Sequence, residues 1–375
     1  MIMERRGNAG TSLEKRFIVA GGGTGGHIFP AIAIANAIKK ISPDAVFLFV
    51  GAKGKMEMEK VPQAGFAIEG LSIAGYNRSS LIKNVGLPFK LVKSFFQVSR
   101  VFKKFKPHAV IGVGGYSSFP VLRFAQSKNI PTFIHESNSF AGKSNILLGK
   151  KATKIFTATK GMEIFFPAEK IVISGNPVRD SIKKTDLSKQ EALQYFGLTE
   201  GRTTLLSLGG SLGAASINKA IQKDIDLLEK NGIQLIWQTG KLFIQEAKNC
   251  VRDKKNIYVS DFISNMESAY AAADIVISRS GAMTVAELCL AEKAVVFVPY
   301  PFAAENHQKV NAQQLVNENA AWMVEDGKVN EELIPAIVKL SLDKDQQHLL
   351  KENIKKMGIA NADEVIADEI LKCLN

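Results

Sequence analysis

Two glycine-rich turns of the same design lie in opposite halves of the chain. Residues 21–26 read GGGTGG and residues 209–213 read GGSLG, and each segment follows a short apolar run and precedes a helical pattern. A strand, a tight glycine turn and a helix in this order present the unpaired amides at the helix start to an anionic ligand. The pattern therefore predicts a two-lobed α/β enzyme with one anion-binding turn in each lobe and two substrates that meet in a cleft.

The length of the chain and the order of its apolar runs also indicate two domains. The chain has 375 residues, of which 46% are hydrophobic and 22% charged, and a single hydrophobic core rarely serves so long a chain. Apolar runs alternate with helical stretches, which predicts two Rossmann-like, doubly wound parallel sheets of the α/β class facing a cleft. The predicted strands are residues 17–20, 45–50, 109–113, 132–135, 155–158 and 171–174 in the first half, and 204–208, 234–238, 257–259, 274–278 and 294–298 in the second.

We place the domain boundary at a Gly-Asn-Pro turn that begins at Gly175. Residues 1–176 are then an N-terminal domain for the acceptor and the membrane, in which residues 1–15 form a loose leader. Residues 177–375 are a C-terminal domain for the donor, and its last helix is expected to pack back on the first domain.

The positive charge of the chain is concentrated in its first half. The net charge is +12, yet no acidic residue lies between Glu69 and Glu136. A helix is predicted from Leu87, with a basic stripe opposite an apolar stripe that faces the core. The apolar stripe consists of Leu91, Val92, Phe95, Val98, Phe102 and Phe105.

Two phenylalanines, Phe89 and Phe96, lie at the border between these stripes, next to Lys93 and Arg100. Aromatic residues beside cations on an acid-free face are typical of docking onto an anionic membrane surface. Nucleic acid is the rival partner for this charge, but the sequence has no recognisable nucleic-acid-binding module. We therefore predict membrane docking and no nucleic acid.

The cysteines and the apolar runs indicate the compartment. Cys250, Cys289 and Cys373 are far apart in sequence, which is typical of reduced thiols in a cytosolic protein and not of a zinc or redox motif. No run reaches the roughly 20 apolar residues that a membrane span needs, and the first residues do not resemble a signal peptide. We expect a protein that is neither exported nor membrane-spanning.

The first glycine turn formally matches the dinucleotide-binding motif. That motif also needs an acidic residue at the end of the second strand, where this chain has Val50-Gly51-Ala52-Lys53. An NAD site is therefore disfavoured. His27 begins the helix after the turn and is our candidate general base, because an imidazole exchanges protons near neutral pH.

An Asp-x-Asp pair of the metal-dependent kind is present at Asp224 and Asp226. Both aspartates fall in a predicted helix, 217–228, on nearly opposite faces, so they cannot converge on one ion. We expect no metal and no cofactor. A third strand-turn-helix unit spans residues 274–288 and carries Glu287, which is either a solvated carboxylate or an acceptor for sugar hydroxyls.

Seven short motifs occur in a fixed order along the chain. They are GGTGGHIFPA (22–31), GVGGYSSFP (112–120), HESNSFAGKSN (135–145), GNPVR (175–179), GGSLGA (209–214), SRSGAMTVAEL (278–288) and NHQKVNA (306–312). Together they resemble the MurG family of bacterial glycosyltransferases, from about residue 17 to the C-terminus. The combination is far more specific than any single motif.

The resemblance implies an inverting, metal-independent glycosyltransferase of the GT-B type. Its substrates would be UDP-N-acetylglucosamine (UDP-GlcNAc) and undecaprenyl-pyrophosphoryl-MurNAc-pentapeptide (lipid I), and its product would be lipid II for peptidoglycan synthesis. It would act as a peripheral protein on the cytoplasmic face of the bacterial plasma membrane, with partners among the proteins of cell-wall synthesis, cell shape and cell division.

The resemblance also implies roles for particular residues. The donor-binding set would be Asn138, Arg179, Ser211, Ile263, Ala282, Met283, Thr284, Glu287, Gln308 and Asn311. The acceptor diphosphate would be bound by Thr24, Gly25, Gly26, Gly114, Gly115, Tyr116 and Ser117. Arg179, with Arg279 as a second cation, would balance the charge that develops on the departing UDP.

Two positions depart from the family pattern. The chain has His307-Gln308 where a pair of glutamines is expected, and Ser137 where Gln is expected. Both changes affect the expected contacts with the sugar and leave the diphosphate and ribose contacts as they are. The alternatives are a UDP-sugar transferase acting on another lipid such as diacylglycerol, a UDP-GlcNAc epimerase and a non-catalytic lipid-binding protein.

Overall fold

The computed structural model describes residues 14–23, 25–75, 86–178, 182, 187–210, 213–303 and 306–374. The predicted leader lies almost wholly outside the described residues. The strands are β1 Arg16–Ala20, β2 Val46–Ala52, β3 Ala67–Leu71, β4 Ala109–Gly112, β5 Thr132–Glu136, β6 Lys154–Thr157, β7 Ile171–Ile173, β8 Thr203–Leu208, β9 Ile233–Gln238, β10 Ile257–Ser260, β11 Ile275–Ser278, β12 Ala294–Phe297 and β13 Trp322–Met323.

α-Helices separate the strands along the chain except between β6 and β7, and the last three helices follow β13. The helices are α1 Gly25–Ile41, α2 Glu57–Gln63, α3 Leu87–Phe105, α4 Ser118–Ser127, α5 Lys143–Gly149, α6 Lys189–Tyr195, α7 Ala215–Lys223, α8 Ile225–Lys230, α9 Ile244–Cys250, α10 Met266–Ala272, α11 Ala282–Leu290, α12 His307–Asn317, α13 Val329–Leu342, α14 Lys344–Lys355 and α15 Ala362–Lys372. The helix predicted over 217–228 is interrupted at Asp224, whose φ of −113° and ψ of 25° leave the helical region.

The strands form two sheets, which confirms the predicted fold class. The first sheet has seven strands in the order β3-β2-β1-β4-β5-β6-β7, and the second has six in the order β10-β9-β8-β11-β12-β13. In the first sheet, the neighbours in the series β3-β2-β1-β4-β5 pair in parallel. All neighbouring strands of the second sheet also pair in parallel. In each sheet the strand order reverses next to the first strand, beside β1 or β8, and ligands bind at this place in such sheets.

Burial on both faces explains why the central strands are continuous apolar runs. In the second sheet, Leu206 of β8 and Val295 of β12 belong to one hydrophobic cluster, whereas their neighbours Leu205 and Val296 belong to a second cluster. Successive side chains of a strand point to opposite faces, so helices cover both sides of this sheet. The four residues after Arg16 in β1 are likewise buried.

Internal contacts divide the chain into two compact units. The first unit comprises Met1–His135, Leu147–Ile155 and Ala367–Asn375, and the second comprises Glu136–Ile146 and Phe156–Ile366. The division into functional domains at residues 176 and 177 stays a prediction.

Candidate active site

In the first unit, the turn after β1 and the turn after β4 approach each other backbone to backbone. Gly22 and Gly23 have φ angles of 149° and 90°, and Gly115 has a φ of 82°. A Cβ atom on Gly115 would lie 2.4 Å from the Gly22 carbonyl oxygen. Only glycine meets both requirements at position 115, because other residues are strained at positive φ and need room for a side chain.

The side chain of His27 lies where these two turns meet. Its Nδ1 is 3.2 Å from the Gly22 carbonyl oxygen, and a Cβ atom on Gly114 would lie 2.9 Å from its Nε2. A carbonyl oxygen only accepts hydrogen bonds, so this contact is a hydrogen bond when Nδ1 carries the proton. In the neutral ring the lone pair is then on Nε2, on the edge that faces the Gly114 turn, and this geometry suits a general base.

The acceptor-binding residues predicted in this unit occupy the same two turns. Gly25 and Gly26 begin α1, and Gly114 to Ser117 lead into α4. The half-buried Tyr116 packs against Gly23 and Gly75, and both burial and the charge of Glu57 raise the pKa of its phenol above the usual value. Thr24 lies outside the described residues.

A carboxylate outside the sequence motifs anchors the first turn. The Glu57 side chain, at the start of α2, is 1% exposed and accepts hydrogen bonds from the Gly23 amide at 2.9 Å and the Ala52 amide at 3.0 Å. The dinucleotide-binding motif has an acidic residue at the end of β2 as a ribose ligand. The acid instead comes five residues after Ala52 and binds the glycine turn.

In the second unit, Gln238 organises the corresponding glycine turn. Its side chain donates to the Gly210 carbonyl at 3.0 Å and accepts from the Ile263 amide, also at 3.0 Å. Gly213 completes the turn with a φ of 78°, and a Cβ atom there would lie 2.2 Å from the Thr239 carbonyl oxygen. The bond from the Ile263 amide to Gln238 therefore holds Ile263 beside the turn. Ser211 and Arg179 lie outside the described residues.

The helix α11 carries most of the remaining predicted donor residues. Gly281 precedes it, none of the described side chains caps its first turn, and Ala282, Met283 and Thr284 are half-buried there. Within the same helix, Glu287 accepts a hydrogen bond from the Tyr270 hydroxyl at 3.1 Å. Tyr270 lies on α10, outside the seven sequence motifs.

The amide side chains predicted near the sugar hold loops of the second unit. Asn311 is buried, donates to the Ser280 carbonyl at 3.1 Å and accepts from the Ser139 amide at 3.2 Å. Gln308 accepts from the Tyr300 amide at 2.9 Å. Asn138 donates to Glu136 from its backbone at 3.1 Å and from its side chain at 3.3 Å. His307, in place of the expected glutamine, is the first residue of α12.

The guanidinium of Arg279 donates hydrogen bonds to four groups of the protein. It donates to the Val298 and Pro299 carbonyls at 3.0 and 3.2 Å, to Asp326 at 2.5 Å and to the Ser216 hydroxyl at 3.0 Å. These bonds tie the turn before α11 to three other segments. The four bonds hold Arg279 in the fold, and its role as a second cation for the departing UDP stays a prediction.

The surface of α3 carries the predicted membrane-docking residues. Phe89 is 80% exposed, Phe96 is 68% exposed, and Lys93 and Arg100 are exposed beside them. The prediction that Val92 belongs to the buried stripe is wrong, because its side chain is 57% exposed and it lies between the two phenylalanines. No helix within the described residues has the length and apolar character needed to span a bilayer.

The described residues contain no group of three His, Cys, Asp or Glu side chains that could hold one metal ion. Asp226, of the Asp-x-Asp pair, forms an ion pair with Lys254.

The two halves of the chain match two domains of one glycosyltransferase family. Residues 17–157 match the glycosyltransferase family 28 N-terminal domain, and residues 204–370 match the family 28 C-terminal domain. The chain is 48% identical over 360 residues to UDP-N-acetylglucosamine--N-acetylmuramyl-(pentapeptide) pyrophosphoryl-undecaprenol N-acetylglucosamine transferase of Phocaeicola vulgatus, covering 95% of this chain and 96% of the relative. It is 47% identical over 362 residues to the enzyme of the same name from Parabacteroides distasonis, covering 96% and 98%. Among solved structures, Acinetobacter baumannii MurG superposes with a TM-score of 0.75 at 28% identity, covering 96% of this chain and 99% of that one.

Proposed function

This chain belongs to the MurG family within glycosyltransferase family 28, and we propose that it transfers GlcNAc from UDP-GlcNAc to the 4-hydroxyl of the MurNAc of lipid I, giving lipid II. The observation that carries the proposal is the 48% identity to a relative named for this reaction over 95% of the chain. The position of His27 between two glycine turns supports it, because the reaction needs a base beside an anion-binding site.

The first unit would bind the acceptor. Amides at the starts of α1 and α4, together with the Gly114 to Ser117 turn, are suited to a diphosphate. The Gly23 amide already donates to Glu57, so the anion-binding capacity of the first turn would come from Gly25 and Gly26. His27 would accept the proton of the MurNAc 4-hydroxyl on Nε2 as the oxygen attacks the anomeric carbon.

The second unit would bind the donor. Ile263 would contact the uracil, Glu287 would accept hydrogen bonds from the ribose hydroxyls, and the start of α11 would face the diphosphate. Asn138, Arg179, Ser211, Gln308 and Asn311 complete the proposed set. Attack from the side opposite UDP inverts the anomeric centre through an oxocarbenium-like transition state. Helix-start amides and Arg179 would stabilise the negative charge on the departing UDP without a divalent ion.

The enzyme would work as a peripheral protein on the cytoplasmic face of the plasma membrane, where its lipid substrate resides. The exposed phenylalanines of α3 would enter the headgroup region while Lys93 and Arg100 contact anionic lipid. Each basic residue near such a surface contributes roughly 1 kcal/mol to binding.

A direct assay tests the proposal against its alternatives. We expect the purified protein with UDP-GlcNAc and a lipid I analogue to form a β-linked disaccharide, identified by the anomeric proton coupling, and to do so in excess EDTA. A diacylglycerol acceptor should give no product, and UDP-GlcNAc alone should not be epimerised. Epimerisation without acceptor, transfer to diacylglycerol or an obligatory requirement for Mg²⁺ would each contradict the proposal.

A further inference from the structure

Glu57 is a buried carboxylate that has no part in the proposed chemistry. Two glycines make room for it: a Cβ atom on Gly51 would lie 2.5 Å from its Cγ, and one on Gly22 would lie 2.2 Å from its Oε1. A charge in such a place is costly unless hydrogen bonds compensate it, and the Gly23 and Ala52 amides supply two. We propose that the same turn binds an anionic substrate, and the negative charge of Glu57 would oppose that binding. The position of this carboxylate therefore needs a structural explanation.

The hydrogen bonds of Glu57 lead directly to His27. Glu57 binds the amide of Gly23, the preceding residue Gly22 is packed on the carboxylate, and the Gly22 carbonyl accepts from Nδ1 of His27. Gly22 and Gly23 both have positive φ angles and no side chains. The Gly22 carbonyl and the Gly23 amide belong to one planar peptide unit, so a bond to the amide also orients the carbonyl. The orientation of the Gly22 carbonyl therefore depends on Glu57.

We propose that Glu57 is a positioning residue for His27, which selects the imidazole tautomer with the proton on Nδ1 through the Gly22–Gly23 turn. The inference rests on the proposed function in one respect, namely that His27 is the base. A free neutral imidazole favours the proton on Nε2, and the hydrogen bond made by one ring nitrogen decides where the proton resides. With Nδ1 bound to Gly22, the acceptor hydroxyl meets the lone pair of Nε2.

Glu57→Gln is the decisive variant because it preserves the volume of the side chain. The amide has one accepting oxygen, so its NH₂ group must face one of the two backbone N–H groups and the turn loses an anchor. Glu57→Asp keeps the charge but shortens the reach, and it replaces Glu57→Gln as the test if the latter does not fold. Glu59→Gln, on the exposed side of the same helix, is the matched control.

The tautomer can be measured without any activity assay. The chain has five histidines, so selective ¹⁵N labelling and a His27→Gln variant assign the ring signals of His27 in long-range ¹H–¹⁵N spectra. We expect the neutral ring of the native protein, and of Glu59→Gln, to be protonated on Nδ1. In Glu57→Gln or Glu57→Asp the population should shift towards Nε2 protonation. Unchanged tautomer populations in the Glu57 variants, or Nε2 protonation in the native protein, would overturn the inference.

Kinetics separate positioning from general stability. We expect Glu57→Gln to lower kcat by about 10-fold or more, as loss of an orienting partner of a catalytic histidine does, while the KM for UDP-GlcNAc is unchanged. A loss confined to thermal stability, with kcat at the native value below the melting temperature, would contradict the role. If the native protein transfers no GlcNAc, the proposed function fails, but the tautomer measurement still tests the link from Glu57 to His27.

Discussion

The hydroxyl of Tyr270 donates a hydrogen bond to Oε2 of Glu287 across 3.1 Å, joining α10 to α11. Glu287 lies on a helix that is otherwise apolar or small, so its carboxylate has few polar groups of its own helix to orient it. The bond from Tyr270 holds one carboxylate oxygen of Glu287 in place. The proposed contact of Glu287 with the ribose therefore depends on a residue 17 positions earlier in the chain.

Tyr270→Phe should weaken UDP-GlcNAc binding by about fivefold, because a hydrogen bond of this kind contributes about 1 kcal/mol. Glu287→Gln should weaken it further, since the amide cannot accept from both ribose hydroxyls on equal terms. Isothermal titration calorimetry with UDP-GlcNAc measures both effects. Tyr195→Phe, on the exposed surface of α6, is the control and should bind like the native protein. An unchanged affinity in Tyr270→Phe would remove the Tyr270–Glu287 pair from donor recognition.

His27→Ala should lower turnover by a factor on the order of 100 or more, which is a typical contribution of a general base. The affinity for UDP-GlcNAc should persist because the proposed donor residues lie in the other unit. Steady-state kinetics and calorimetry on the same preparation distinguish the two quantities. Native turnover in this variant would mean that another group removes the proton.

Gly114→Ala should reproduce much of the His27 defect. Its Cβ atom would lie 2.9 Å from Nε2 of His27, so the ring must move away from the turn. Gly65→Ala is a matched control, because Gly65 has a similar φ of 83° and a Cβ atom there would have no other atom within 4 Å. Both substitutions should cost about 1 to 3 kcal/mol of stability through backbone strain, and only Gly114→Ala should lose turnover. Equal turnover in the two variants would contradict the placement of His27.

The sequence predicted the central strands of both sheets and missed two strands at sheet edges. β3 contains Glu69 and Gly70 in a half-exposed pattern, and β13 has only two residues. Edge strands have one neighbour and partial exposure, so they lack the continuous apolar run by which a buried strand is recognised. Such strands are identified by the neighbour with which they pair, and this is a tertiary relationship.

The same reason explains which site residues could be predicted from the sequence. The glycine turns and His27 follow from local pattern, because a turn and the helix after it are adjacent in the chain. Glu57 and Gln238 act on backbone groups that are 34 and 25 residues away, and neither stands in a recognisable motif. Hydrogen bonds to distant backbone amides leave no periodic signal in a sequence.

Phe89→Ser combined with Phe96→Ser should weaken binding to vesicles that contain anionic lipid, because both apolar side chains would no longer be buried in the headgroup region. Raising the ionic strength from about 0.1 to 1 M should weaken binding of the native protein as well, since the Debye length falls from about 10 to 3 Å. Vesicle co-sedimentation measures both effects, and Leu342→Ser is the control at a similarly exposed apolar side chain of the second unit. Binding that responds to neither change would place the docking surface elsewhere.

Lys293 gives a prediction for stability against pH. Burial, with the positive charge of Lys351 as a smaller cause, lowers its pKa from 10.5 to about 8. The unfolded chain then binds more protons than the folded one between these two values, so the free energy of unfolding rises with pH in this window. Relative to Lys293→Met, the free energy of unfolding of the native protein should increase by about 2 kcal/mol between pH 7 and 9.5. Urea unfolding at each pH measures this difference. Lys248→Met, at an exposed position of α9, is the control, and the native protein should show no such increase relative to it. If the difference in unfolding free energy between the native protein and Lys293→Met stays constant or falls with pH, the ammonium group of Lys293 is well solvated in the folded state.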